Sequence, residues 1–188
     1  MKLENSFEVP ASPEAAWELL LDVPRILPCM PGAELTEVVD DSHWKAKINV
    51  KLGPISMTFA TDVERTEVDE AARRAVLAAR GRELRGRGQA RATVVSSLAA
   101  TNGGTKVDIV TDLTLSGPAA QYGRGIVADV SSQLVGRFAD CLRAQLDSEP
   151  ERAEAAVAQA AEPVSGLRLG LAAVGRSISR FFRRLLRR

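Results

Sequence analysis

The sequence predicts an α+β fold in which a curved antiparallel sheet wraps one long C-terminal helix. Three observations carry that expectation. Between Leu35 and Leu115, apolar and polar residues alternate in short runs, broken at Asp40-Asp41-Ser42, Gly53-Pro54, Gly86-Arg-Gly88 and Asn102-Gly-Gly104, which is the pattern of successive hairpins. After Gly117-Pro118 the period changes: Ala119, Tyr122, Ile126, Val130, Leu134, Phe138 and Cys141 recur every three or four residues along one helical face. The chain has 188 residues, 45% of them apolar and 26% charged, enough for a real core and unlike a collagen-like or wholly disordered chain.

Each element has a local reason. Residues 3–9 read as a first strand. Ser12-Pro13-Glu14 opens a helix with a serine N-cap, proline at its first position and an acid in its first turn. Ala16, Trp17, Leu20 and Leu21 give that helix its apolar face, and Pro24 opens a second short helix ending before Pro28. Pro28, Pro31 and Gly32 form a rigid bend. Strands follow over 35–39, 44–50, 55–66, 75–84, 90–98 and 107–115, and the long helix runs from Gly117 to about Leu146. The 75–84 strand is the least regular, being rich in alanine and arginine.

Charge divides the chain further. The net charge is +1, but Arg168, Arg176, Arg180, Arg183, Arg184, Arg187 and Arg188 stand in an acid-free tail, leaving 18 basic residues against 24 acids before Pro163. The body therefore carries −6 and the tail +7, which sends the tail and not the body toward anionic surfaces. Three regions result: a domain over 1–146, an acidic alanine-rich linker over 147–165 and a basic helix over 166–188. The N-terminus has no secretory apolar segment, and no run of about 18 apolar residues spans a bilayer. The expected location is therefore the cytoplasm, with peripheral contact to the inner face of the cell membrane.

The combination of Phe7-Glu-Val-Pro-Ala-Ser-Pro-Glu-Ala-Ala-Trp17, Leu21-Asp22, Met30-Pro31-Gly32-Ala33, Lys51-Leu-Gly-Pro54, Gly103-Gly-Thr105 and Ala120-Gln-Tyr-Gly-Arg-Gly-Ile-Val-Ala-Asp129 resembles the carbon monoxide dehydrogenase G-subunit (CoxG) family. The resemblance covers residues 1 to about 146. It implies a helix-grip fold of the START-like (SRPBCC, Bet v 1-like) superfamily, whose members enclose apolar ligands. It also implies a part in passing the electrons of a molybdenum CO dehydrogenase to the respiratory chain through a membrane quinone.

Catalytic and metal chemistry find little support. His43, the only histidine, reads as an exposed hairpin residue, and one histidine cannot supply a paired-histidine iron site. Asp62, Glu64 and Glu67 read as a solvated face rather than a catalytic pair. Two cysteines are too few for a disulfide scaffold, and Cys29 reads as a buried or idle thiol. Arg80, Arg82, Arg85 and Arg87 among Gly81, Gly86 and Gly88 lack phosphate-loop grammar and read as a basic turn or an electropositive docking patch. Gly123 and Gly125 serve either close packing or room for a ligand beside Tyr122. No catalytic residue, metal or covalent cofactor is expected.

The expected ligand cavity is lined by Ile48, Val50, Met57 and Phe59 from the sheet and by Tyr122, Ile126 and Val130 from the helix. Apolar walls suit a quinone (menaquinone or ubiquinone) or a similar isoprenoid ligand. In the tail, Leu167, Leu171, Val174, Ile178, Phe181, Phe182 and Leu185 fill one helical stripe. Arg176, Arg180, Arg183, Arg184 and Arg187 fill the other, and Arg188 ends the chain. That pattern belongs to an interfacial helix on an anionic membrane, not to a nucleic-acid binder. The reading is a non-enzymatic quinone carrier between the membrane and the CO dehydrogenase complex. The alternatives are a recruitment or assembly factor that carries no ligand, and a small cyclase of the same superfamily.

Overall fold

A computed structural model describes residues 1–52 and 55–147 of the chain. Strand β1 (Lys2–Val9) leads into α1 (Pro13–Leu21), where the Ser12 hydroxyl accepts the amide of Ala15 at 3.2 Å. Helix α2 (Val23–Ile26) begins against the Asp22 carboxylate, which accepts the Arg25 amide at 3.2 Å. A 3-10 turn over Leu27–Cys29 then reaches β2 (Ala33–Val38), β3 (His43–Leu52), β4 (Ile55–Asp69), β5 (Arg74–Glu83), β6 (Gln89–Thr101), β7 (Gly104–Leu115) and α3 (Arg124–Leu146).

All neighbours in the seven-stranded sheet are antiparallel, in the order β1-β7-β6-β5-β4-β3-β2. Strands β2 to β7 are joined as consecutive hairpins, and β1 closes the order by pairing with β7 from Lys2 opposite Asp112 to Val9 opposite Thr105. Because side chains alternate between faces, this register sets Leu3, Phe7 and Val9 beside Val107 and Ile109 on the face toward α3.

The long helix starts later than its sequence suggests. Gly117–Gln121 forms a separate 3-10 turn, Tyr122 and Gly123 are extended, and α3 begins only at Arg124. Gly117 has φ +73°, and a Cβ there would lie 1.9 Å from the Arg87 carbonyl oxygen, so only glycine fits where β7 leaves the sheet beside the β5–β6 turn.

Three buried clusters form rather than one. The largest joins Phe7, Trp17, Ile26, Leu98, Val107, Phe138 and Leu142 beneath α1, α2 and the C-terminal half of α3. A second holds Met57, Phe59 and Ala119, and a third Val23, Trp44 and Val63. Cys29 and Cys141, 112 residues apart in sequence, are paired in a disulfide with their Cα atoms 5.5 Å apart. The expected idle thiol at Cys29 is thereby corrected. Its partner arrives only through the packing of the 3-10 turn against α3, which no local spacing announces.

Two outcomes follow from these contacts. Unfolded but unreduced protein should show no free thiol on titration, and Cys141→Ser should lower the unfolding free energy by about 2–5 kcal/mol in a denaturant melt. Gly117→Ala should cost about 2 kcal/mol or more in the same assay.

Candidate functional site

The face of the sheet toward α3 is recessed at its centre. Register places Thr61 between Ala46 on β3 and Gly81 on β5, with Ala90 next on β6. The adjoining row runs Trp44, Val63, Ala79, Ala92 and Leu113. Ala46, Ala79, Gly81, Ala90 and Ala92 send nothing toward the helix beyond a methyl group, so the middle strands carry a shallow apolar floor. Met57 and Phe59 raise one side of it, and Trp44 and Val63 the other; all four are buried.

The helix does not fill the space above that floor. Helix α3 packs chiefly along β1 and the Leu27–Cys29 turn, and its buried residues are Val127, Phe138, Ala139, Cys141 and Leu142. Ile48, Ala79, Ala92, Leu113 and Leu134 are only half-buried, although the first four occupy the helix-facing side of interior strands. Such positions reach solvent because α3 leaves part of this sheet face uncovered.

Of the residues expected to line a cavity, the structure gathers most at one end. Val50, Tyr122 and Val130 pack on Met57, Phe59 and Ala119, and Ile48 stands opposite Phe59 in the ladder. Ile126 departs from the expectation: it is 49% exposed, and Val127, at 6%, takes the buried position. The cause is helical drift: at 3.6 residues per turn, Ile126 lies about 120° round the helix from the buried Phe138, whereas Val127 lies within about 20° of it. A Cβ on Gly123 or Gly125 would meet no described atom within 4 Å, so close packing does not account for either glycine. The residues from Leu171 to Arg188 assigned to the membrane, like the linker beyond Asp147, lie outside the described residues.

Polar side chains near the floor are few. Glu83 is buried opposite Phe59, but its Oε2 accepts the amides of Arg85 at 2.9 Å and Arg87 at 3.1 Å and so fixes the β5–β6 turn. Gly81 belongs to β5 and not to that turn, where Gly86 takes φ +71°. Arg65 donates to the carbonyls of Leu21 and Asp41 at 2.9 and 2.8 Å, its guanidinium 5.5 Å from the Trp44 ring centroid. Thr61 is 5% exposed, and its Oγ1 has no hydrogen-bond partner. A groove of about 530 Å³ along β1 and α3 is of another kind, lined by Glu4, Asn5, Ser132, Asp140 and Arg143 among others.

Elsewhere the titratable groups make surface pairs. His43 is exposed, and its Nδ1 lies 2.9 Å from Asp40 Oδ1. The Asp40 carboxyl is lowered to about 2, first by the Ser42 amide and then by the His43 and Ser42 side chains. Glu64 lies 3.7 Å from Arg80, and Glu67 pairs with Arg74. Among the described residues no group of three or more His, Cys, Asp or Glu could hold a metal ion, and no helix is long and apolar enough to cross a membrane.

A curved antiparallel sheet gripping a C-terminal helix over an apolar recess defines a helix-grip domain of the START-like, Bet v 1-like class. The chain belongs to the carbon monoxide dehydrogenase G-subunit (CoxG) family, whose model matches residues 6–147. Membership ties it by family to CO dehydrogenase. Among solved structures it is similar to a conserved protein from Geobacillus kaustophilus, with a TM-score of 0.69 and 19% identity over 78% of this chain and 95% of that one. It is also similar to a protein from Thermus thermophilus, with a TM-score of 0.56 and 15% identity over 79% of this chain and 100% of that one. The corresponding values for Ara h 8.0201 are 0.52, 15%, 79% and 99%. These likenesses show the fold. Among curated proteins none matches the sequence.

If the recess is unfilled, Ala92→Phe should occupy it. We expect an unfolding free energy within about 1 kcal/mol of the parent and loss of a bound apolar dye, whereas a packed core would lose about 1–3 kcal/mol by overpacking.

Proposed function

We propose that this protein carries a respiratory quinone between the membrane and the CO dehydrogenase complex and performs no chemistry on it. The observation that supports the reading is the apolar floor of small residues that α3 covers only in part. Its walls suit a ring with an isoprenoid tail better than a charged metabolite, because a buried charge without a partner is strongly disfavoured. Tyr122, Val130, Met57, Phe59, Ile48 and Val50 are the proposed contacts; the exposed Ile126 is not among them. The quinone, menaquinone or ubiquinone, is the carried ligand; its reduction belongs to the partner enzyme.

The tail supplies the membrane contact in this reading. Its apolar stripe, with Phe181 and Phe182, enters the acyl boundary, and its arginines meet anionic headgroups at about 1 kcal/mol each at best. Nineteen linker residues (147–165), if a flexible coil, span roughly 25 Å, enough to lift the domain off the surface and return it.

Mass spectrometry of an organic extract of the purified protein tests the cargo. A co-purified quinone is the expected result; an extract empty of quinone and isoprenoid would leave recruitment of the dehydrogenase as the better reading. Co-sedimentation with anionic liposomes tests the tail. Deletion of residues 166–188 should abolish binding while the domain stays folded, and high salt should weaken full-length binding only in part, since apolar insertion is unscreened. Undiminished sedimentation of the truncated chain would end the membrane assignment.

A further inference from the structure

We infer that the Thr61 hydroxyl is the polar anchor of the recess, bonding to a ring oxygen of the carried molecule in both its oxidised and reduced forms. The inference rests on the reading that the recess holds a ligand, and it adds the atom that recognises it.

Thr61 lies on the helix-facing side of β4 between the buried Phe59 and Val63. Its Oγ1 is sealed from solvent and partnerless, a state that costs free energy and that most native buried hydroxyls avoid. A purely structural role would be met better by valine, which has the same shape, favours strands and leaves no polar atom unpaired.

The surroundings of the hydroxyl supply no partner. Its ladder neighbours, Ala46 and Gly81, have no polar side-chain atom. A Cβ on Gly81 would stand 3.1 Å from Thr61 Oγ1 and 3.2 Å from the Phe59 Cβ, so any larger residue there would crowd the hydroxyl. The Glu83 carboxylate, the acid on this face of β5, is engaged by the turn amides of Arg85 and Arg87. The missing partner must therefore come from outside the protein.

The choice of a hydroxyl also says something about the ligand. It donates through one hydrogen and accepts through its lone pairs, and rotation about one bond exchanges the roles. A quinone carbonyl only accepts, whereas a quinol hydroxyl can donate. Threonine can donate to the carbonyl and can donate to or accept from the quinol hydroxyl, whereas a carboxylate cannot serve the oxidised form. A carrier needs that indifference, since it must take up one redox form and give up the other.

Equilibrium dialysis of the full-length chain with menadione, with menadiol under anaerobic conditions and with 2-methylnaphthalene separates the possibilities. Wild type should bind menadione and menadiol with similar affinity. Thr61→Val should weaken both about three- to tenfold, leave 2-methylnaphthalene unchanged and leave the melting temperature of the ligand-free protein equal or higher. Thr61→Ser should restore quinone binding. If wild type binds menadione and 2-methylnaphthalene but Thr61→Val binds menadione equally well, the anchor is disproved while the carrier reading stands. A Thr61→Val variant that melts markedly lower would also overturn it, by revealing a structural partner for the hydroxyl. If wild type binds none of the three probes, the recess is not a ligand site and both readings fall.

Discussion

The open end of the molecule depends on how firmly α3 is held at its other end. Phe138, Ala139, Cys141 and Leu142 of the helix are buried, and Phe138 meets Phe7 edge to face, the rings 6.2 Å apart at 83°. The disulfide to Cys29 joins the same segment to the turn after α2. Arg143 donates to the Glu8 carbonyl at 2.8 Å, and Gln145 accepts from Arg25 at 2.9 Å. The first half of the helix has thinner support: Val127 is its buried residue, with polar contacts from Asn5 to Ser131 and from Arg124 to the Lys2 carbonyl. A helix held firmly at one end and lightly at the other covers the sheet face incompletely, as the half-buried Ile48, Ala79, Ala92 and Leu113 show.

That incomplete cover works against stability. Each methylene absent from a filled core forgoes about 0.8 kcal/mol of transfer free energy, and Ala79, Gly81, Ala90 and Ala92 are four consecutive opportunities not taken. The loss is tolerable because folding is secured elsewhere: six hairpin or closing ladders hold the sheet, and the large cluster and the disulfide hold α1, α2 and the end of α3. Separating a close-packed half from a receptive half is a common settlement between stability and function.

Much of this is legible in the sequence, and the exceptions share a cause. The strands, the serine cap at Ser12 and the hairpin turns are local, and period and turn chemistry find them to within a few residues, whereas the pairing of β1 with β7 is not local. The start of α3 is misplaced by sequence because Gly117-Pro118 does break the sheet, yet nothing local distinguishes a 3-10 turn and a second break at Gly123 from a first helical turn; Ile126 is misplaced because a strict four-residue repeat drifts about 40° per step off the buried face. The cysteine pair is a contact between elements 112 residues apart and has no local signature. The floor is visible but easily misvalued: alanines and Gly81 make 75–84 look like a poor strand, whereas in register with Ala46, Ala90 and Ala92 they form the recess. Thr61 is hidden among alternating strand residues, since only a structure reveals that a hydroxyl lacks a partner.

Placing the charges on the architecture sharpens the carrier picture. Of the −6 borne before Pro163, residues 147–162 hold five acids and one arginine, or −4, so residues 1–146 hold only −2. Several charges of the domain are matched locally, as in Lys45 with Glu37, Lys106 with Asp108 and Arg143 with Asp140. Repulsion from an anionic bilayer therefore acts mainly on the linker and falls off over a Debye length of about 8 Å at physiological salt. The nearly neutral domain feels little of it. In the proposed carrier, an acidic linker between a basic tail and a nearly neutral domain would oppose collapse onto the membrane while leaving the domain free to approach it. For a cargo with a long apolar tail that freedom matters, because transfer across even a few ångströms of water would expose the chain and cost about 25 cal/mol for each Å² wetted.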